Sequence, residues 1–403
     1  MSRLHVAVDA RLAPGSAGGV ETVIVGLAQG FAELRPDDIH PMFFTYPGQA
    51  RSLRQQAPGA GVAVLQRPSM ASRVVRKGYA GVGRASGATR GHVPDWAVVR
   101  PDRELDRIRP DIVHYPYQAN RRPSAPFVYQ PHDLQHLHLP QFFTPQAIRW
   151  REAVYPTMCR AAAAVAVGNR WVKNDLVARY GLEPEKVFVI PLAPVSVAEV
   201  DETVSSPVDV PYLLYPAVNW PHKNHRRLLQ ALALASRREP DMHLVLTGGM
   251  QAGHPDPVEM AAKLGLSDRV HVLGYVDAPT LAAVYREARG VVVPTLFEAA
   301  SFPVWEAFQR GIPVACSDVT SLPEQTDGNA ILFDPLDVEA MSDAMVRLWT
   351  DDDLRAKLVA GGRERVAAFT WRRTAQGFSA LYRYVAGRTL SDDDERLLAA
   401  EDL

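Results

Sequence analysis

Two glutamates, Glu298 and Glu306, stand eight residues apart on either side of what reads as the start of a helix. The stretch from Val291 runs VVVPTLFEAASFPVWEAF: a short apolar strand ends near Pro294, a loop carries Glu298, and a helix opens at about Ser301. Pro303 falls in its first turn, where a missing amide hydrogen costs nothing, and Ser301 is a candidate N-cap. The free amides and positive dipole end of such a helix form a seat for a diphosphate, at the carboxyl end of a strand where open α/β sheets bind ligands. Carboxylates on both sides can hold two parts of one ligand, because each accepts hydrogen bonds from hydroxyls, one from a sugar and one from a ribose diol. Taken alone, the pair is equally well read as acids that stabilise a helix start through its dipole.

A cation and an imidazole extend the set. Lys223 lies in Asn219-Trp220-Pro221-His222-Lys223-Asn224, just past the predicted strand Tyr212 to Tyr215. From there it can neutralise the charge that grows on a departing diphosphate, the task a metal performs in other transferases. His132 opens His132-Asp133-Leu134-Gln135-His136-Leu137-His138 after the predicted strand Phe127 to Gln130. Three imidazoles at such spacings could converge on an ion, but no further ligands or open position are suggested, so no metal is expected. Asp133 is placed to orient the His132 ring. Gly18 and Gly19 lie between the first strand and the first helix, where a backbone without β-carbons can approach a ligand closely. The absence of a GxGxxG pattern argues against an ordinary dinucleotide dehydrogenase.

The elements that position these residues follow from the rest of the chain. Its 403 residues are too many for one core and imply two domains with a cleft between them. Short Val- and Leu-rich runs alternate with helical periodicity, the mark of an α/β chain with parallel sheets. Strands are predicted at Leu4 to Asp9, Pro41 to Tyr46, Val62 to Leu65, Ile112 to Tyr115, Phe127 to Gln130, Val165 to Val167 and Val187 to Ile190 in the first half. In the second half they fall at Tyr212 to Tyr215, His243 to Leu246, Val270 to Leu273, Gly290 to Val293 and Pro313 to Ala315. The division expected is a first domain over 1–195, a linker over 196–210 and a second domain over 211–370. A last helix over 371–390 packs back on the first domain, and 391–403 forms a solvated acidic tail.

Forty-four basic against 45 acidic side chains leave no global field to draw the molecule onto nucleic acid. Cys159 and Cys316 lie far apart without disulfide or metal spacing, and no apolar run approaches a bilayer's thickness, so a cytoplasmic protein is expected. The one strongly basic stretch, 73–109, reads as solvated surface or, more sharply, as a peripheral contact with a membrane face or a phosphate-bearing acceptor. The Asp-x-Asp spacings at Asp351 to Asp353 and Asp392 to Asp394 read as solvated charge.

Taken together, the Glu298 to Glu306 spacing, Gly311-Ile312-Pro313-Val314 and Ser321-Leu322-Pro323-Glu324 resemble the signature of the retaining glycosyltransferases of family 4. The likeness extends to Gly18-Gly19-Val20-Glu21, Pro131-His132-Asp133-Leu134, Asn219 to Asn224 and Gly274-Tyr275-Val276, and so covers most of the chain. It implies the GT-B fold, two Rossmann-like domains facing each other across a cleft. It also implies a nucleoside-diphosphate sugar as co-substrate, no metal, and a glycan, lipid-linked or small-molecule acceptor. By that resemblance Glu298 contacts hydroxyls of the transferred sugar, Glu306 the ribose, Lys223 the diphosphate, and His132 the sugar from the first domain. The Gly18-Gly19 loop faces the phosphates, Tyr275 and Val276 line the base pocket, and Asn219, His222, Gly248, Ala300, Ser301 and Phe302 complete the donor side.

Two departures stand out. Val218 occupies the place of a common phosphate-binding arginine, with His222, Arg226 and Arg227 as candidates to replace it, and Ala299-Ala300-Ser301 stands where Gly, aromatic, Gly is frequent. The rival readings are an epimerase or phosphorylase of the same architecture, and a non-catalytic subunit that binds a nucleotide sugar.

Overall fold

Apolar runs of three to seven residues become strands here because helices cover both faces of each sheet, so neither face needs polar residues. The computed structural model describes residues 2–12, 19–66, 99–194, 203–251, 253–254 and 256–401. Gly18, residues 73–98 of the basic stretch and residues 196–202 of the expected linker lie outside the described residues. The first sheet is built from β1 (Leu4–Asp9), β2 (Ile39–Thr45), β3 (Val62–Val64), β5 (Ile112–Tyr115), β7 (Phe127–Tyr129), β8 (Ala164–Val167) and β9 (Val187–Val189). Its order is β3-β2-β1-β5-β7-β8-β9, and every pairing is parallel. Two short strands that the sequence reading missed, β4 (Arg100–Pro101) and β6 (Arg121–Arg122), pair beside it.

The second sheet contains β10 (Tyr212–Pro216), β11 (His243–Thr247), β12 (Val270–Gly274), β13 (Gly290–Val293), β14 (Val314–Ser317) and β15 (Ile331–Phe333), in the order β12-β11-β10-β13-β14-β15, again all parallel. In each sheet the winding reverses at one place, between β1 and β5 and between β10 and β13. Such a reversal leaves a crevice beyond the carboxyl ends of the strands. The connections that follow β1, β10 and β13 lead to Gly19, which opens the first helix, to Lys223 and to Glu298.

The helix Trp371–Val385, late in the chain, belongs to the first domain's core. It lies against the helix Gly19–Leu34 at Gly26 and Gly30, where a β-carbon would fall 1.9 Å from the Trp371 ring and 2.1 Å from the Trp371 carbonyl oxygen, respectively. Trp371 Nε1 donates to Pro194 O at 2.9 Å. Deeper in, Tyr382 Oη and Gln130 Oε1 lie 2.7 and 2.9 Å from the two ring nitrogens of His114, a fully buried imidazole whose pKa burial drives down to about 3. Arg383 grips Asp38 with two bonds of 2.8 Å and Asp394 with one of 2.7 Å.

That last contact corrects the expectation of a solvated acidic tail at one residue, Asp394, while Asp392, Asp393 and Glu395 are exposed as expected. Asp392–Ala399 is a helix with a capping box in which Ser391 and Asp394 bond each other's backbone amides, and Asp394 is buried. The other acidic cluster also has a local task, because Asp351 caps the helix Asp352–Ala367.

Replacing Gly30 with alanine tests the helix contact, since helix propensity alone would stabilise it by about 1 kcal/mol. The overlap with the Trp371 backbone reverses that sign. We predict a loss of about 1–3 kcal/mol, read as a lower urea midpoint at unchanged m.

Candidate active site

The two domains meet across a cavity of about 240 Å3 whose walls include Gly19, Gln118 and His132 from the first and His222, Glu298, Ala300 and Phe302 from the second. Gly19 makes the approach close: a β-carbon there would lie 3.1 Å from the Phe302 ring, which would have to shift by a few tenths of an ångström.

Glu298 is held by its backbone, so its carboxylate is not needed to fix the loop. Its amide donates to Thr320 Oγ1 at 3.1 Å, and its carbonyl accepts from Thr320 Oγ1 at 2.6 Å and Ser321 Oγ at 2.9 Å. Thr320 does this from φ +52°, a left-handed conformation costly for a β-branched residue and one that clusters at functional sites. The Glu298 carboxylate forms an ion pair with the Lys223 ammonium. Two loops aim that pair: Lys223 ends a short 3-10 turn, Pro221–Lys223, and the His222 carbonyl accepts from Leu296 N at 2.7 Å, joining the loop after β10 to the loop after β13.

Ser301 stands at the N-cap of the helix Phe302–Arg310, but its side chain makes no capping bond. Gln325 takes both its amide and its carbonyl, each at 2.8 Å, and leaves the buried Ser301 hydroxyl without a partner. A buried orphan hydroxyl beside an uncapped helix start is a seat for an anion, since each unmade bond costs free energy until a ligand supplies it. Glu306, one turn inside the helix, accepts from Tyr285 Oη at 2.7 Å, and burial raises its pKa. It does not line the cavity that holds Glu298.

His132 adopts φ +65°. Its Nε2 lies 2.9 Å from Pro116 O, so that nitrogen carries the hydrogen and Nδ1 is left as an acceptor; desolvation lowers the ring's pKa and keeps it neutral. Asp133 therefore does not orient the ring, as the sequence suggested: its Oδ1 accepts from Gln135 N at 2.9 Å instead. The other two histidines diverge, His136 to Glu152 and His138 to Asp175, each at 2.8 Å.

Of the three candidates for the role of the absent arginine, only His222 reaches the cleft, and it is neutral, with burial and then the Lys223 charge lowering its pKa to about 3. Arg226 and Arg227 line a separate cavity with Trp220 and Phe142. The remaining donor-side candidates are spread along the carboxyl ends of the second sheet. Asn219 ties Gln251, accepting from its amide at 2.6 Å. Gly248 is demanded by packing, because at φ +120° a β-carbon would lie 2.6 Å from the Ala217 backbone. Tyr275 is 87 % exposed and Val276 half-buried. Thr320 and Gln325, which shape the Glu298 loop, were not found from sequence, although they bracket a motif that was.

Comparison with known proteins bears on this arrangement. The sequence model described as Glycosyltransferase Family 4 matches residues 17–193, and the one described as Glycosyl transferases group 1 matches residues 211–351. The chain belongs to glycosyltransferase family 4. Among curated relatives, O-antigen chain mannosyltransferase B of Escherichia coli is 26% identical over 62% of this chain and 68% of its own length. MMP alpha-(1->4)-mannosyltransferase of Mycolicibacterium hassiacum is 30% identical over 53% of this chain, which spans about half (52%) of that relative. The solved structure of HepE from Anabaena in complex with UDP and glucose superposes with a TM-score of 0.69 at 17% identity, covering 95% of this chain and all of that one. The fold is GT-B, with the family's cleft formed by the two sheets described above.

The depressed pKa values of His222, about 3, and His225, about 4, predict how stability responds to acid. Below pH 6.5 the unfolded chain takes up protons that the folded one refuses, so stability falls as pH drops from 6.5 toward 4. In urea unfolding across that range, His222→Asn is expected to flatten the slope by up to about 1.4 kcal/mol per pH unit.

Proposed function

We propose that this chain transfers a hexose of the mannose, glucose or N-acetylglucosamine type from a nucleoside diphosphate to a glycan, lipid-linked or small-molecule acceptor, with retention of configuration and without a metal. The observation that carries the reading is the ion pair of the Lys223 ammonium with the Glu298 carboxylate, which lines the cleft, three residues before an uncapped helix start whose Ser301 hydroxyl is orphaned.

These groups suit the chemistry of a sugar diphosphate. Negative charge grows on the leaving diphosphate as the glycosidic bond breaks, and a fixed ammonium and helix amides lower that barrier electrostatically. Binding the diphosphate draws Lys223 away from Glu298, whose carboxylate then accepts hydrogen bonds from hydroxyls of the transferred sugar. Glu306, held by Tyr285, is suited to the ribose diol. On the opposite wall His132 offers a neutral Nδ1 as acceptor to the sugar. With Glu298 engaged by the sugar hydroxyls, we assign no carboxylate as nucleophile. The acceptor oxygen then attacks from the face the leaving group departs, and a diphosphate oxygen takes its proton. Closure of the cleft excludes water and suppresses hydrolysis of the sugar donor.

The test begins with a thermal-shift panel of sugar nucleotides, in which a ligand at about 100 times its Kd stabilises by about 2.7 kcal/mol and so identifies the base. With that donor, product NMR is expected to show an α linkage from an α donor, and chelator is expected to leave turnover unchanged. Lys223→Ala and Glu298→Ala should each lower kcat/KM by about 10²–10³ with the fold intact. A β-linked product would falsify the retaining reading, and full activity in both variants would remove the site.

A further inference from the structure

The helix Arg170–Tyr180 of the first domain directs its N-terminus at the second domain, and one side chain from there meets it. Arg170 N donates to Glu324 Oε1 at 2.9 Å and Trp171 N to Glu324 Oε2 at 3.0 Å. A carboxylate is well matched to the positive end of a helix dipole and to its unpaired first-turn amides. Here the acid arrives from more than 150 residues away, and both of these bonds leave its own domain. Beside them the helix N-cap, Asn169, accepts from Val172 N at 2.9 Å with its oxygen and donates from Nδ2 to Ala299 O at 2.5 Å, next to Glu298. The Phe297 ring packs against Trp171 at 5.7 Å on the same seam.

Glu324 rides on the short helix Leu322–Thr326, and the residues around it are those that hold the Glu298 loop. Thr320 and Ser321 bond the Glu298 carbonyl, and Gln325 takes both backbone groups of Ser301. From behind, Arg365 Nη2 donates to Glu324 O at 2.9 Å. One segment therefore clasps the Glu298 loop on one side and hooks the other domain on the other.

We propose that Glu324 is a positioning residue, a latch that fastens the first domain over the Glu298 loop and couples closure of the cleft to the placement of that carboxylate. The catalytic part of this inference rests on the transferase reading above; the mechanical part does not. A carboxylate on two amides suits a reversible latch, because on opening both partners return to water and the contact's net worth is modest.

Hydrogen–deuterium exchange on the full chain, combined with transfer kinetics, separates the two parts. In Glu324→Ala, exchange is expected to rise about five- to tenfold at the amides of 170–172 and also in the loop 297–302, while the strands β10 and β11 keep their protection. Turnover should fall about tenfold with the donor KM within about twofold, since the residue touches neither substrate in this arrangement. Glu324→Gln keeps the length and one acceptor oxygen and should give intermediate values in both measurements, which guards against a misfolded alanine variant. Raised exchange at 170–172 with an unmoved 297–302 loop would reduce Glu324 to a helix cap and overturn the latch, as would unchanged exchange at both. Were the loop to loosen in a chain that transfers no sugar, the latch would stand and the transferase reading would fall.

Discussion

The loop from Thr295 to Ser301 must offer a carboxylate and a helix start to a cleft while much of its own backbone is removed from water. That constraint organises the surrounding structure, because a buried amide or carbonyl without a partner costs as much as a lost hydrogen bond. The solution is local and side-chain built. Thr295 Oγ1 bonds the Phe297 carbonyl at 3.0 Å, Thr320 and Ser321 take the Glu298 carbonyl, Asn169 takes Ala299 O, and Gln325 takes both groups of Ser301. With its main chain satisfied, the loop presents the Glu298 carboxylate to the cleft and to Lys223, and keeps the Ser301 hydroxyl buried without a partner.

Three of the six non-glycine residues at positive φ among the described residues lie at the same place. His132, Asn224 and Thr320 all take left-handed backbone conformations, at φ +65°, +61° and +52°, and all three flank the cleft or the loops that shape it. Each such residue costs on the order of 1–3 kcal/mol and persists only where its neighbours over-determine it. Asn224 shows how: its Nδ2 donates to Pro294 O and Pro335 O, both at 2.9 Å, which pins the turn after Lys223 to the end of β13. The backbone is thereby fixed before any ligand arrives, which is the condition for electrostatic stabilisation without reorganisation.

Much of this was legible in the sequence, and the gaps have physical causes. Twelve of the thirteen strands in the two large sheets were located, because a parallel strand buried on both faces is a continuous apolar run that nothing else imitates. The missed one, Ile331–Phe333, is a three-residue strand at a sheet edge. At the acidic end Asp392, Asp393 and Glu395 are exposed as expected, and only Asp394 departs, because its pairing with Arg383 depends on a helix brought alongside by the fold. Arg226 and Arg227 looked like replacements for an arginine at Val218 by proximity in sequence. The turn at Asn224 sends them to a different cavity. Side-chain alternatives within one loop, such as Asp133 against the Pro116 carbonyl for the His132 ring, cannot be ranked from spacing when the competitor comes from another strand end.

The pairing of Lys223 with Glu298 ties these threads to function. Both side chains are largely shielded, at 19% and 11% exposure, so each would suffer a desolvation penalty if left alone. Their mutual contact offsets that penalty and keeps both side chains aimed. A ligand that brings an anion and hydroxyls together can replace both halves of the pair at once, the anion to the lysine and the hydroxyls to the glutamate. A free diphosphate satisfies only the lysine and strands the carboxylate, and a free sugar does the reverse. Under the proposed function, selectivity for a molecule carrying both groups follows from leaving no buried charge unpaired.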